Sequence, residues 1–372
     1  MRFPIFVFLA IIICFSCKQE DVITYDEVVL KFNETSNSIQ KLSYNVRRID
    51  SFPSRDGGAI NVWDNNGSSL IEINNKDEVF GFNFYGKMNN KPFTTIYDQG
   101  NVFYLDDEEK TYEQDKGGYF VLGSPGGQMV STSFFKLDSI FETIKVTPNK
   151  LGYKINYTFA DDTVYLVTNR IKIVQLNEEF IPIHVRTSSY SQGEKQTGDY
   201  VFTDIKVNDA VSENISEKKM ILASYEKEVQ EESLPSPLLN KKLPELIFKD
   251  IVTDANIKLN TDKLLLIDFW EIWCGWCIKA FPKVDALNNT YSKDLQIIGV
   301  VTESRDKAIE MIEAKHSKIS HGFMDKSILD KFQVNSFPRY FLVDKKGIVR
   351  KEYFGFSENI ENDIKSLINE TK

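Results

Sequence analysis

The chain has 372 residues, 42% hydrophobic and 27% charged, which is ordinary globular usage with room for two domains. Its 45 Lys and Arg against 54 Asp and Glu leave a net charge of −9, which argues against a nucleic-acid partner, because counterion release needs clustered cations. Nineteen Gly and 11 Pro exclude a collagen-like or low-complexity chain, and no apolar run reaches the ~18 residues of a membrane-spanning helix.

Met1-Arg2-Phe3-Pro4 opens the chain, followed by an apolar run from Ile5 to Phe15 and then Ser16-Cys17. One basic residue, a short apolar stretch and a small residue are the grammar of an export leader, here residues 1–16. A small residue directly before a cysteine resembles a bacterial lipoprotein signal. That resemblance implies cleavage before Cys17, lipid on its thiol and a membrane anchor at the cell envelope. Cys14 follows bulky Ile13 and is the poorer candidate.

Thr24-Tyr25-Asp26-Glu27 is a capping box, and Tyr25, Val28, Phe32 and Ile39 follow at helical spacing. From Leu42 the period becomes two: Leu42, Tyr44 and Val46, then Phe80, Phe82 and Phe84, then Tyr153, Ile155, Tyr157 and Phe159. Asn66-Gly67, Gln99-Gly100 and Gln192-Gly193 are the expected turns. Phe134, Leu137, Phe141 and Ile144 predict one helix near 131–145, and two alternating runs over 181–191 and 197–207 predict a hairpin. Residues 24–211 therefore read as an antiparallel β-rich domain. A charged segment, 212–237, follows with Met220, Ile221, Tyr225 and Val229 at helical spacing, and Leu234-Pro235-Ser236-Pro237 ends it at the expected domain boundary.

From 238 to 372 strands alternate with helices, which predicts an α/β domain and an α+β two-domain chain overall. Leu264–Trp270 is an apolar strand, followed by a turn into a helix reaching about Tyr291. Leu295–Val301 and the pair Arg339–Asp344 and Ile348–Phe354 are further strands, with helices over 304–315 and 357–369.

The leader accounts for Cys14 and Cys17, so the folded part holds only Cys274 and Cys277, two residues apart where a strand turns into a helix. A helix N-terminus has unpaired N–H groups and partial positive charge, both of which favour a thiolate. A thiol of pKa ~8.5 is only ~3% ionised at pH 7, whereas one lowered to ~7 is half ionised. Cys274 is then the exposed nucleophile, and Cys277, one turn on, resolves the mixed disulfide. Gly275-Trp276 between them adds no cation. Zinc would need two more ligands, and His184, His316 and His321 lack metal-like spacing. An inert pair would normally be scattered and buried, and a Cys–His hydrolase would need a histidine at Cys274, where His316 and His321 instead read as surface residues.

Asp268-Phe269-Trp270-Glu271-Ile272-Trp273-Cys274-Gly275-Trp276-Cys277 resembles the active-site strand and turn of thioredoxins. Pro282 matches the proline of the family's active-site helix, and Ser336-Phe337-Pro338 resembles its cis-proline loop. Leu243-Pro244-Glu245-Leu246 and Glu303 are similar to the membrane-tethered TlpA/ResA branch. The resemblance implies a thioredoxin-like fold over 238–372 and thiol–disulfide exchange without a cofactor or metal. It implies that Asp268 accepts the proton of Cys277 with Glu303 assisting, and that Trp273, Trp276, Phe337 and Pro338 meet the substrate. Partners implied are oxidised exported proteins and an upstream membrane electron donor. Trp276 replaces the common Pro, Arg339 after the proline puts a solvated cation near the site, and no Lys on the neighbouring strand pairs with Asp268. Glu271 stands where a related peroxidase would carry Thr, which excludes that activity.

By element order alone, the N-terminal domain resembles the LolA-like half-barrel. That implies a concave face of Phe and Tyr able to hold acyl chains, and an alternative function as a ligand-binding lipoprotein. A solid core serving as spacer or partner platform is the other expectation.

Overall fold

A computed structural model of the chain describes residues 23–53, 60–228 and 235–370. The expected leader and Cys17 lie outside them, as do Val229 and Leu234. Among the described residues, no helix is long and apolar enough to cross a membrane.

Helix α1 (Tyr25–Ser38) starts at the expected capping box: the Thr24 hydroxyl accepts from the Glu27 N–H, and the Glu27 carboxylate accepts from the Thr24 N–H. It is followed by β1 (Lys41–Pro53), β2 (Ile60–Ile73), β3 (Phe82–Met88), β4 (Phe93–Asp98), β5 (Asn101–Asp106) and β6 (Thr111–Lys116). After an irregular stretch come β7 (Thr143–Asn149), β8 (Gly152–Phe159), β9 (Val167–Leu176), β10 (Pro182–Ser191) and β11 (Glu194–Val207). The chain then runs through α2 (Ile215–Lys219) to β12 (Glu226–Lys227). All twelve strands form one sheet in the order β12-β6-β5-β4-β3-β2-β1-β11-β10-β9-β8-β7. Strand β1 sits mid-sheet between β2 and β11, so the meander grows outward from it on both sides.

One face of the sheet carries Leu42, Tyr44, Val46, Phe84, Tyr97, Ile155, Tyr157 and Phe202. These pack under Val28 and Phe32 of α1 and under Val121, Met129, Val130, Phe134 and Leu137 of the irregular stretch. Tyr44 stacks on Phe134 at 4.7 Å and meets Phe202 edge-on at 5.2 Å. Of the alternating aromatics, Tyr44, Phe82, Phe84 and Tyr157 are buried against chain, whereas Phe80, Tyr153 and Phe159 are half-buried. On the opposite face, Leu70, Tyr85, Ile96, Phe103 and Leu105 pack with Val211, Ile215 and Tyr225.

Three expectations are corrected here. Asn66-Gly67 is not a turn but lies inside β2, where Gly67 pairs with Met88. A Cβ on Gly67 would stand 2.2 Å from the Lys87 carbonyl and 2.6 Å from Met129 Sδ, so glycine is there for close approach. The helix expected near 131–145 is one 3-10 turn, Thr132–Phe134, because β-branched Thr143, Ile144 and Val146 join β7. Of the charged helical segment expected over 212–237, the described residues form short α2, a 3-10 turn over Met220–Ser224 and then β12, which pairs parallel to β6, while Tyr225 donates to Asp107 at 2.8 Å; residues 229–234 lie outside the described ones. Gly67→Ala should destabilise the chain by ~1–3 kcal/mol through overpacking, read as a lower urea midpoint. An unchanged midpoint would contradict this packing.

The second sheet holds β13 (Leu264–Phe269), β14 (Leu295–Val301), β15 (Ser320–Phe323), β16 (Arg339–Val343) and β17 (Val349–Phe354), in the order β15-β14-β13-β16-β17. Its helices are α3 (Gly275–Tyr291), α4 (Arg305–Lys315), α5 (Ser327–Phe332) and α6 (Asn359–Glu370); β15 and α5 add to the elements expected from sequence. Strands β13, β14 and β15 run parallel, and β16 is antiparallel to both its neighbours, β13 and β17. Helices α3 and α6 cover the face bearing Leu264 and Leu266, and α5 lies on the face bearing Leu265 and Ile267. From Ser236 onward the backbone bonds to this sheet: the Ser236 N–H donates to Glu352 at 2.8 Å, and Asn240 to the Val349 carbonyl.

Candidate active site

The β13–α3 turn builds the site. Cys274 is the N-cap of α3, and its Sγ accepts from the Cys277 N–H at 3.1 Å. The two cysteines are joined by a disulfide with Cα atoms 5.2 Å apart. Cys274, expected to be exposed, is only 6% so, and Cys277 2%. The pair sits at the floor of its surroundings because both cysteines lie in an apolar cluster with Trp270, Ile272, Ile278, Phe281 and Val301. Pro282 lies inside α3, as expected.

Asp268 pairs with Gly299 in β14 and Tyr340 in β16. Strand period two puts it on the face of Leu264 and Leu266, under α3, at the strand end that leads into the helix whose first turn holds Cys277. Burial pushes its carboxyl up from 3.8 to about 8, with the Tyr340 hydroxyl opposing only in part. Glu271, which in the sequence serves only to exclude peroxidase chemistry, is a second buried acid. Thr302 donates to it from both N–H (2.9 Å) and hydroxyl (2.7 Å), yet burial still carries it up to about 7, with the Glu303 charge adding to the rise. A second carboxylate in the apolar run before Cys274 was the available signal.

Glu303 is bonded elsewhere than to the cysteines: Trp273 Nε1 donates to it at 3.1 Å and Lys326 pairs with it at 2.8 Å. Phe337 and Pro338 share a cis peptide bond, and the Phe337 ring meets Trp273 edge-on at 5.4 Å. Trp276, between the two cysteines in sequence, is 73% exposed, with Lys279 Nζ 4.9 Å over its ring.

Two further readings are corrected. Arg339 is not a solvated cation beside the site: it is 2% exposed, pairs with Glu352 at 3.1 Å and lies 3.3 Å over the Phe354 ring. His321 is not a surface residue: it is buried against Phe281 and accepts from Trp270 Nε1 at 3.2 Å. Burial lowers its pKa to about 4, which keeps the ring neutral.

Residues 239–368 match the Redoxin family. The chain is 24% identical over 146 residues to Thiol-disulfide oxidoreductase YkuV of Bacillus subtilis, covering 36% of this chain and 99% of that protein. It is 25% identical over 135 residues to Thiol-disulfide oxidoreductase ResA of Bacillus anthracis, 35% of this chain and 78% of that protein. It spans about half the length of other curated relatives, such as Thioredoxin of Porphyra purpurea (38% identical over 55 residues, 14% of this chain and 51% of that protein). Among solved structures, the thioredoxin domain of a thiol-disulfide oxidoreductase from Bacteroides vulgatus is similar, with TM-score 0.33, 23% identity, 37% of this chain and all of that one. Residues 239–368 thus match the Redoxin family model, and the relatives similar to them include proteins named thiol–disulfide oxidoreductases.

Proposed function

We propose that this chain reduces disulfides of exported polypeptides through Cys274 as nucleophile, Cys277 as resolving thiol and Asp268 as proton acceptor. The observation that carries the reading is Cys274 at the N-cap of α3, its sulfur facing the Cys277 N–H. In the dithiol state that N–H and the helix dipole favour the thiolate. The Cys274 thiolate attacks one sulfur of the substrate disulfide, and the other leaves as a thiolate. Cys277 gives its proton to Asp268 and attacks the Cys274 sulfur of the mixed disulfide. The second substrate thiol departs, two electrons have passed, and the Cys274–Cys277 disulfide remains. A dithiol donor at the membrane then restores the reduced pair.

Trp273, Trp276, Phe337 and Pro338 form the substrate-facing rim in this reading. Glu303 acts as a positioning residue, holding the Trp273 indole. Residues 24–211 and 238–372 act as two domains, and lipid on Cys17 would hold both at the envelope face of a membrane. The full chain should catalyse reduction of insulin disulfides by dithiothreitol. A rate equal to that of dithiothreitol alone would overturn the proposal.

A further inference from the structure

We infer that the β-rich N-terminal region forms one wall of the substrate site, where Tyr165 and Gln192 select an extended disulfide-bearing peptide segment with an apolar side chain beside its cysteine. The inference rests on the thiol–disulfide reading above and adds to it the element that chooses the substrate.

Two connections of the twelve-stranded sheet reach the Cys274 turn. In the first, between β8 and β9, Asp162 Oδ1 accepts from the N–H groups of Val164 and Tyr165 at 2.9 and 3.0 Å. Asp162 and Val167 also exchange backbone hydrogen bonds at 2.7 and 3.0 Å, so the corner is fixed before any substrate arrives. Tyr165 and Leu166 pack into the cluster that contains Cys274, Cys277 and Ile278. A Cβ placed on Gly275 would stand 3.4 Å from the Tyr165 ring, so the motif's backbone runs directly against that ring.

The second connection is the β10–β11 turn. Gln192 and Gly193 have φ of 51° and 77°, the left-handed pair of a two-residue hairpin. From that turn Gln192 Nε2 donates to the Ile272 carbonyl at 3.3 Å. Both connections are tied to α4: Glu194 pairs with Lys307, and Lys315 Nζ donates to the Thr163 carbonyl at 2.9 Å.

Between wall and motif lies a groove of about 350 Å³ lined by Phe52, Tyr165, Gln192, Ile272, Trp273 and Ile278. That is at the low end of the ~300–1,000 Å³ of ligand sites, room for one side chain and its flanking backbone rather than a folded surface. Trp273 and Gly275, the chain neighbours of Cys274, both border it, so an occupant lies beside the motif. Aromatic and aliphatic walls favour an apolar side chain, and the Gln192 and Gln196 amides can donate to and accept from an extended backbone.

The test uses the full chain and three probes: a short peptide closed by a disulfide with Phe beside one cysteine, the same peptide with Gly there, and hydroxyethyl disulfide. Wild type should prefer the Phe peptide over the Gly peptide by about tenfold in kcat/KM. Tyr165→Ala and Gln192→Ala should each lower the ratio of Phe-peptide to hydroxyethyl-disulfide kcat/KM by a comparable factor, mainly through KM. Leu151→Ala, an exposed substitution in the β7–β8 turn, should keep the wild-type ratio. If wild type reduces all three probes and the ratio is the same in every variant, the wall makes no substrate contact and the inference is overturned alone. If wild type reduces none, the thiol–disulfide reading fails and the inference falls with it.

Discussion

Cys274→Ser should abolish insulin reduction, and Cys277→Ser should accumulate a covalent mixed disulfide while turning over almost nothing. The two outcomes differ because the sulfurs do different work. Cys274 caps α3, where the helix N-terminus can ionise it, and its chain neighbours Trp273 and Gly275 border the groove. Cys277 sits in the first turn, 2% exposed, and meets only a sulfur already bonded to Cys274. Without Cys277 the first exchange still proceeds and the second cannot. Non-reducing electrophoresis after incubation with an oxidised peptide checks the trapped species. Full activity in either single variant, or trapping on Cys274→Ser instead, would contradict the assignment.

Asp268→Asn should slow exchange near neutral pH by about a hundredfold, the lower end of what a positioned general base contributes. A carboxyl raised to about 8 lies close to an ordinary thiol, so a proton passes between them with little cost. Wild-type rates should rise with pH through that value, and the variant should lose this limb. The same shift has a stability consequence. Because the folded carboxyl titrates near 8 and the unfolded one near 3.8, the stabilising proton is fully held below 3.8 and lost as pH rises through about 8. Wild-type stability therefore falls across that window, whereas the amide of the Asp268→Asn variant does not titrate and carries no such slope. Urea midpoints at pH 5 and pH 9 should converge for the variant relative to wild type. Parallel midpoints with an unchanged pH–rate profile would make the carboxylate purely structural.

What the sequence disclosed was local. The Thr24 capping box, the Gln99-Gly100 and Gln192-Gly193 hairpin turns and the β13–α3 turn at Cys274 are each written in adjacent residues, and each is present in the fold. What it hid depends on distant partners. Asn66-Gly67 has turn chemistry but lies in β2, because the Lys87 carbonyl and Met129 crowd the glycine. The apolar spacing over 131–145 imitates a helix until Phe134 stacks on Tyr44 and β7 pairs with β8. Arg339 reads as a free cation until Glu352, in the paired strand β17, takes its charge. The same holds for the site. The cysteines and Asp268 are legible as a motif in adjacent residues. The Tyr165 and Gln192 wall belongs to strand connections far upstream, and only the fold brings it beside the motif.

The direction of electron flow is the central claim, and electrostatics decides it. Strong oxidants hold the attacking thiolate at very low pKa, usually with a cation close by. Here Gly275-Trp276 carries none, Lys279 is a screened charge on the exposed Trp276 ring, and the Arg339 charge is taken up by Glu352. Asp268 and Glu271, buried beside the turn, supply no cation that would hold the thiolate, and once ionised they oppose negative charge on sulfur. Equilibrating the full chain against glutathione buffers, with the thiol–disulfide ratio read by alkylation, measures the potential directly. A value near ~−250 mV is the predicted result, and a value above ~−150 mV would contradict the account.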